Sequence, residues 1–123
     1  MEKPYVPPPR EVCTVETFPI YITADDRLTI KQHVYKGKIV HFAIMQDIRE
    51  GDIWHHVARI DCCHGTIHRH QYNRAGDDIY DSRVITEIPA DNGWSVVDAG
   101  YQVAQDAMFD EYEENLRRWR DGA

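Results

Sequence analysis

Between Glu16 and Asn73 the chain repeats one pattern, a run of alternating apolar and polar residues closed by a short polar turn. Side chains of an extended strand alternate between its faces, so a period of two marks strands with one face buried and the other open. The first run sets Phe18, Ile20 and Ile22 against Thr17, Tyr21 and Thr23, and Ala24-Asp25-Asp26-Arg27 turns it. Leu28–Tyr35 and Ile39–Asp47 read as the next two strands, a hairpin closed by the tight turn Lys36-Gly37-Lys38. After Arg49-Glu50-Gly51-Asp52, Ile53–Cys63 and Thr66–Asn73 form a fourth and a fifth strand joined at His64-Gly65. Strands joined by turns this short run antiparallel, which predicts a meander.

Asn73–Asp78 is polar and loop-like, and Ile79–Ile88 fits either another strand or an irregular crossing segment that Pro89 ends. Asp91 or Asn92 is then placed to cap a helix. Beyond it Trp94, Val97, Tyr101, Ala104, Met108, Tyr112, Leu116 and Trp119 recur at helical spacing as one apolar stripe. A single helix over 93–120 would be about 40 Å long, so its last part is expected to project past a sheet of about five strands. The expected fold class is α+β: an antiparallel meander of about five strands packed against one long C-terminal amphipathic helix. Pro4 and Pro7 to Pro9 bias the start of the chain towards extended polyproline II. Residues 1–15 therefore read as a Pro-rich arm, solvated or a ligand for an aromatic groove, and residues 16–120 as a single domain.

Hydrophobic residues at 42% supply one modest core, and a net charge of −7 opposes tight, non-specific attachment to phosphate backbones. The opening residues lack an apolar leader region, and no stretch approaches membrane-spanning length. Three cysteines, two of them adjacent at Cys62 and Cys63, suit a disulfide framework badly. A reducing cytoplasm is the expected location.

The histidines cluster around one turn. With His64-Gly65 at the centre of a two-residue hairpin, Cys63 lies opposite Thr66, Asp61 opposite His68, Ile60 opposite Arg69 and Arg59 opposite His70. One face then carries Arg59, Asp61, Cys63, His68 and His70, and the other, which belongs on the core, carries Ala58, Ile60, Cys62 and Ile67. A carboxylate beside an imidazole orients it and raises its basicity, and a guanidinium holds an anion or a developing oxyanion. Three readings are open. The set suits metal-independent acid/base cleavage of a phosphodiester. Asp61, His68 and His70 also offer two nitrogens and an oxygen to a divalent metal, with Cys63 or His64 to complete the shell. Finally, Asp61 and His68 can be a plain cross-strand pair. Cys62-Cys63 lacks the spacing of structural zinc sites. At most one of His55 and His56 can join the cluster, and His33 and His41 read as structural. Arg117, Arg118 and Arg120 follow Glu111, Glu113 and Glu114, which suits pairing along a solvated helix face. The same arginines can meet a phosphate or an acidic partner. An exposed Trp or Tyr of the stripe would equally dock a second copy, giving a homodimer.

The run Val57-Ala58-Arg59-Ile60-Asp61-Cys62-Cys63-His64-Gly65-Thr66-Ile67-His68-Arg69-His70 resembles the Arg-Tyr-Asp-x-x-His-Gly-x-x-His-x-His segment of small bacterial domains of unknown function. Those domains are distantly similar to TumE-like toxins of toxin–antitoxin pairs. The resemblance spans most of residues 16–120, and its specific part is about a dozen residues. It carries over Arg59, Asp61, His64, Gly65, His68 and His70; Ile60 stands where the pattern has an aromatic, and Cys62 and Cys63 where it has small residues. The resemblance implies a small toxin-like or defence-related domain that acts on RNA or the translation machinery and has a cognate protein partner. In that reading His68 and His70 are the acid/base pair, Asp61 orients them, Arg59 binds phosphate, and His64 and Arg69 join in binding. The competing expectation is a non-enzymatic acidic binding protein, antitoxin-like or a phage-encoded inhibitor, acting through its surface and C-terminal helix.

Overall fold

Hydrogen bonding joins the strands in chain order into one antiparallel sheet: β1 (Thr14–Tyr21), β2 (Asp26–Tyr35), β3 (Lys38–Glu50), β4 (Ile53–Cys63), β5 (Thr66–Gln71) and β6 (Arg83–Glu87). The computed structural model describes residues 4–122. The sheet has six strands where about five are expected. The extra one, β6, lies at an edge with every residue exposed, so it carries no alternation of burial for the sequence to display.

Two turns set the register. Lys36-Gly37 and His64-Gly65 have positive φ at both residues, 50° and 77° in the first and 51° and 77° in the second. This is the hairpin turn whose twist matches that of its strands. The pairs around His64-Gly65 are those counted from the sequence, Asp61 with His68 and Arg59 with His70 among them. Alternation then buries Leu28 and Ile30, Phe42 and Ile44, Ile60 and Cys62, and Ile67 on one face of the sheet. The helix α1 (Gly93–Asp110) covers that face with Val97, Tyr101, Ala104 and Met108. Each buried aliphatic or aromatic side chain there contributes roughly 1.5–3 kcal/mol.

The stripe does not form one rod with a projecting end. It breaks at Glu111, where φ is −108° and ψ 10°, and resumes as α2 (Tyr112–Asp121), which packs on β4 and β5. A straight helix would carry Leu116 and Trp119 off the sheet into water; the break keeps both buried. Asn115, wholly buried, pins α2 by donating to the Gln46 side chain at 3.0 Å and accepting from Arg69 at 2.8 Å. Its backbone carbonyl accepts from Gln71 at 3.0 Å.

The described part of the arm is anchored at one residue, while Val6 and residues 9–12 stay exposed as expected of a solvated arm. Tyr5 is buried, its hydroxyl donates to the Val40 carbonyl at 2.8 Å, and burial pushes its phenol up to about 12. A Cβ on Gly65 would come within 2.9 Å of Pro4, and one on Gly93 would meet the Tyr5 ring. The arm is thus wedged between the β4–β5 turn and the start of α1. Among the described residues, no helix is long and apolar enough to cross a membrane.

Candidate functional site

The helices leave the second face of the sheet open, and the strand pairing of β4 with β5 assembles the cluster there. Asp61 is its centre. Its Oδ1 lies 3.3 Å from His68 Nε2 and 3.2 Å from His70 Nε2, and its Oδ2 lies 2.8 Å from Arg59 Nε. The Arg59 N–H does not point along that line, so the contact is an ion pair without a linear hydrogen bond. Asp61 and His68 are buried, whereas the Arg59 side chain keeps 38% of its surface exposed. Beside it opens a cavity of about 380 Å³ lined by Met45, His56, Arg59, Tyr72 and Arg74, among others. A charged group is therefore presented to solvent at the mouth of a largely dry cluster.

The other nitrogen of each imidazole is engaged. Thr66 Oγ1 donates to the Cys63 carbonyl at 3.0 Å, which leaves its lone pairs to accept from His68 Nδ1 at 2.8 Å. His70 Nδ1 lies 2.7 Å from Asp78 Oδ2. An ionised carboxylate only accepts, so Nδ1 of His70 carries a proton too. Burial tends to raise the Asp78 carboxyl, but hydrogen bonds from His70 and from the backbone N–H groups of Ser82, Tyr80 and Gln71 outweigh it and hold the group below the usual carboxylate value. His68 is held below the ordinary imidazole value, by burial first, against the opposing pull of Asp61 and with help from His70, Arg59 and His64. Its Nε2 is thus a lone pair facing a carboxylate oxygen. His70 Nε2 meets the same oxygen with hydrogen-bond geometry at 3.2 Å. All three ligand atoms lie within 4.8 Å of one another, and they are the donors here able to hold a metal.

Other candidates fall elsewhere. Arg69 shares the parity of Ile60 and so faces the helices, where Glu111 at 3.1 Å and Asn115 at 2.8 Å hold it. Arg117 pairs with Glu114 and Asp121, Arg118 lies 3.5 Å from Glu114, and Arg120 is exposed on α2. α2 packs on the covered side of the sheet, so none of the three joins the cluster. His64 is exposed in the turn. His55 packs against Trp119, while His56 joins the open face, 2.7 Å from Asp47. Cys62 is buried in the core, which pushes its thiol up to about 12 and removes it from ligation or nucleophilic attack.

Sequence reasoning missed Asp78, Thr66 and Tyr72, the last stacked on His70 with ring centroids 6.1 Å apart. Thr66 was within reach of the register argument, since it shares the face of His68 two residues away. Asp78 was not. It belongs to a loop that an isolated bridge between Tyr72 and Asp78 folds back over β5, and nothing in the local pattern signals that return.

Fold and site together define an α+β domain, a six-stranded antiparallel meander backed by two helices, with an Arg, Asp and two His on its open face. The chain belongs to a family described as a domain of unknown function, DUF7718, whose model matches residues 12–120. No curated protein matches it, and neither does any solved structure.

Proposed function

We propose that this domain cleaves RNA phosphodiesters at the open-face cluster, as a small toxin-like member of a toxin–antitoxin or defence-related system. The observation that carries the reading is the convergence of two Nδ1-anchored imidazoles on one carboxylate oxygen, with the half-exposed guanidinium of Arg59 beside them. Arg59 takes the substrate phosphate. The 2′-hydroxyl oxygen then forms a bond to phosphorus while the bond from phosphorus to the 5′ oxygen breaks. The hydroxyl proton passes into the set of Asp61, His68 and His70, and the leaving 5′ oxygen takes a proton back from it. Preorganisation supports this chemistry, since Thr66 and Asp78 hold both rings before any substrate arrives. The resemblance of the hairpin to that of small bacterial domains distantly similar to TumE-like toxins supports the RNA assignment and a cognate protein partner. Net charge of −7 leaves binding to the local field of Arg59 rather than to a general basic surface.

Purified protein incubated with total RNA, beside the Arg59→Ala and His68→Ala variants, tests the proposal. Decay is expected with the wild type and a loss of about 100-fold or more in each variant, the range for removing an acid/base or charge-stabilising group. Equal decay in all three refutes it. The competing reading, an acidic binding protein acting through its surface and C-terminal helix, keeps the exposed charges of α2 but not the buried Leu116 and Trp119.

A further inference from the structure

We infer that Asp61, His68 and His70 bind one divalent transition-metal ion, of the zinc or manganese type, through Asp61 Oδ1 and the two Nε2 atoms. The inference rests on the proposed function for its substrate but not for its geometry. Both Nδ1 atoms are engaged, by Thr66 and by Asp78, so each ring presents its Nε2 to Asp61, and the three ligand atoms lie within 4.8 Å of one another.

Two of the three ligand spacings match a coordination shell, and the third, between the two Nε2 atoms, lies within 4.8 Å. Ligands bound at ~2.1 Å stand ~3.0 Å apart when they meet at a right angle and ~3.4 Å apart at the tetrahedral angle. The observed Oδ1 to Nε2 separations of 3.3 and 3.2 Å fall between the two. Two imidazoles with one carboxylate suit a first-row transition ion better than calcium or magnesium, which prefer oxygen throughout.

The surroundings also resemble those of a metal site. Metal-bound imidazoles characteristically donate their second N–H to a carboxylate or another fixed acceptor, which sets the tautomer. Asp78 does this for His70, and Thr66, itself fixed by the Cys63 carbonyl, does it for His68. Three protein ligands leave a position open, the mark of a reactive rather than a structural centre. With the ion bound the two Nε2 atoms would no longer take protons, so the proton of the 2′-hydroxyl would pass instead to the hydroxide form of a water on the ion, and a substrate phosphate would meet both the ion and Arg59.

The test uses the full chain without a histidine tag, stripped with EDTA and then titrated with zinc, manganese or cobalt(II). One ion per chain is expected, and ¹⁵N spectra of the histidine rings should shift at Nε2 of His68 and His70 and at no other ring. Asp78→Asn leaves all three ligands in place and should weaken binding ~10–100-fold, the range for removing a ligand's outer partner. His55→Gln, at a histidine that packs against Trp119 and contributes no ligand, should leave affinity unchanged. The absence of stoichiometric binding by all three ions, or shifts at other histidines instead, overturns the inference. RNA decay separates the two ideas. Protein that binds none of the three ions yet cleaves RNA at the full rate in EDTA refutes the metal and leaves the cleavage; an ion bound as described with RNA intact upholds the metal and refutes the cleavage.

Discussion

Asn115 is the residue through which the fold of α2 is most sharply tested. Replacing it with leucine keeps the branching and the number of side-chain heavy atoms and leaves the backbone carbonyl that Gln71 uses. It removes two side-chain hydrogen bonds, Nδ2 to Gln46 Oε1 at 3.0 Å and Arg69 Nη2 to Oδ1 at 2.8 Å. Gln46 is fully buried, so its stranded oxygen costs about 1–3 kcal/mol. Arg69 keeps its pairing with Glu111 at 3.1 Å, so its charge stays compensated, but one arm of the guanidinium loses its acceptor at a similar cost of about 1–3 kcal/mol. The added apolar surface returns little, because its neighbours in the pocket are polar. A net loss of about 3 kcal/mol follows from these terms. Urea denaturation followed by circular dichroism should show a lower midpoint at an unchanged slope. The double variant Asn115→Leu with Gln46→Leu removes donor and acceptor together, so its loss should fall short of the sum of the single losses. A single-variant loss below about 1 kcal/mol, or strict additivity in the double variant, refutes the buried network as the anchor of α2.

The other predictions concern titration and the turn. Burial, aided by His33 and Lys31, holds His41 below the ordinary imidazole value, and burial does the same to His33. Below pH ~6.5 the unfolded chain therefore binds protons that the folded chain refuses, so stability is complete above that value and falls as pH drops towards the folded-state values. Urea midpoints at pH ~7.5 and ~5.5 should show this decline and its reduction by His41→Gln; an equal or higher midpoint at the lower pH contradicts it. Gly65→Ala should destabilise by about 1–3 kcal/mol, since it places a side chain at φ 77° and a Cβ within 2.9 Å of Pro4. Thermal melting measures it, and a loss no larger than that of Gly37→Ala, with a similar φ but open space around it, would remove the contact with the arm as a cause.

Much of the site was readable before the fold because strand chemistry is local. A period of two and a two-residue turn at His64-Gly65 are sufficient to place Asp61 opposite His68 and Arg59 opposite His70. The same counting put Cys62 and Ile60 in the core, but Arg69, expected in the binding set, pairs with Ile60 and faces the helices. The helical stripe was equally readable as a set of apolar positions, but its break at Glu111 was not, since residues on either side keep the same spacing.

What the sequence determined by itself was therefore the meander, its register and the membership of the open face, all consequences of nearest-neighbour geometry along and across strands. Tertiary structure alone decided the rest. It folded the loop that brings Asp78 to His70, turned α2 back so that Trp119 is buried, and packed Tyr5 against Val40. Each is a long-range contact chosen by burial of apolar surface and satisfaction of buried polar groups, energies that depend on which surfaces meet and not on the order of residues in any one segment. The electrostatic character of the cluster is of the same kind. Two Nε2 atoms converge on one carboxylate oxygen only because Thr66 and Asp78 hold the other nitrogen of each ring.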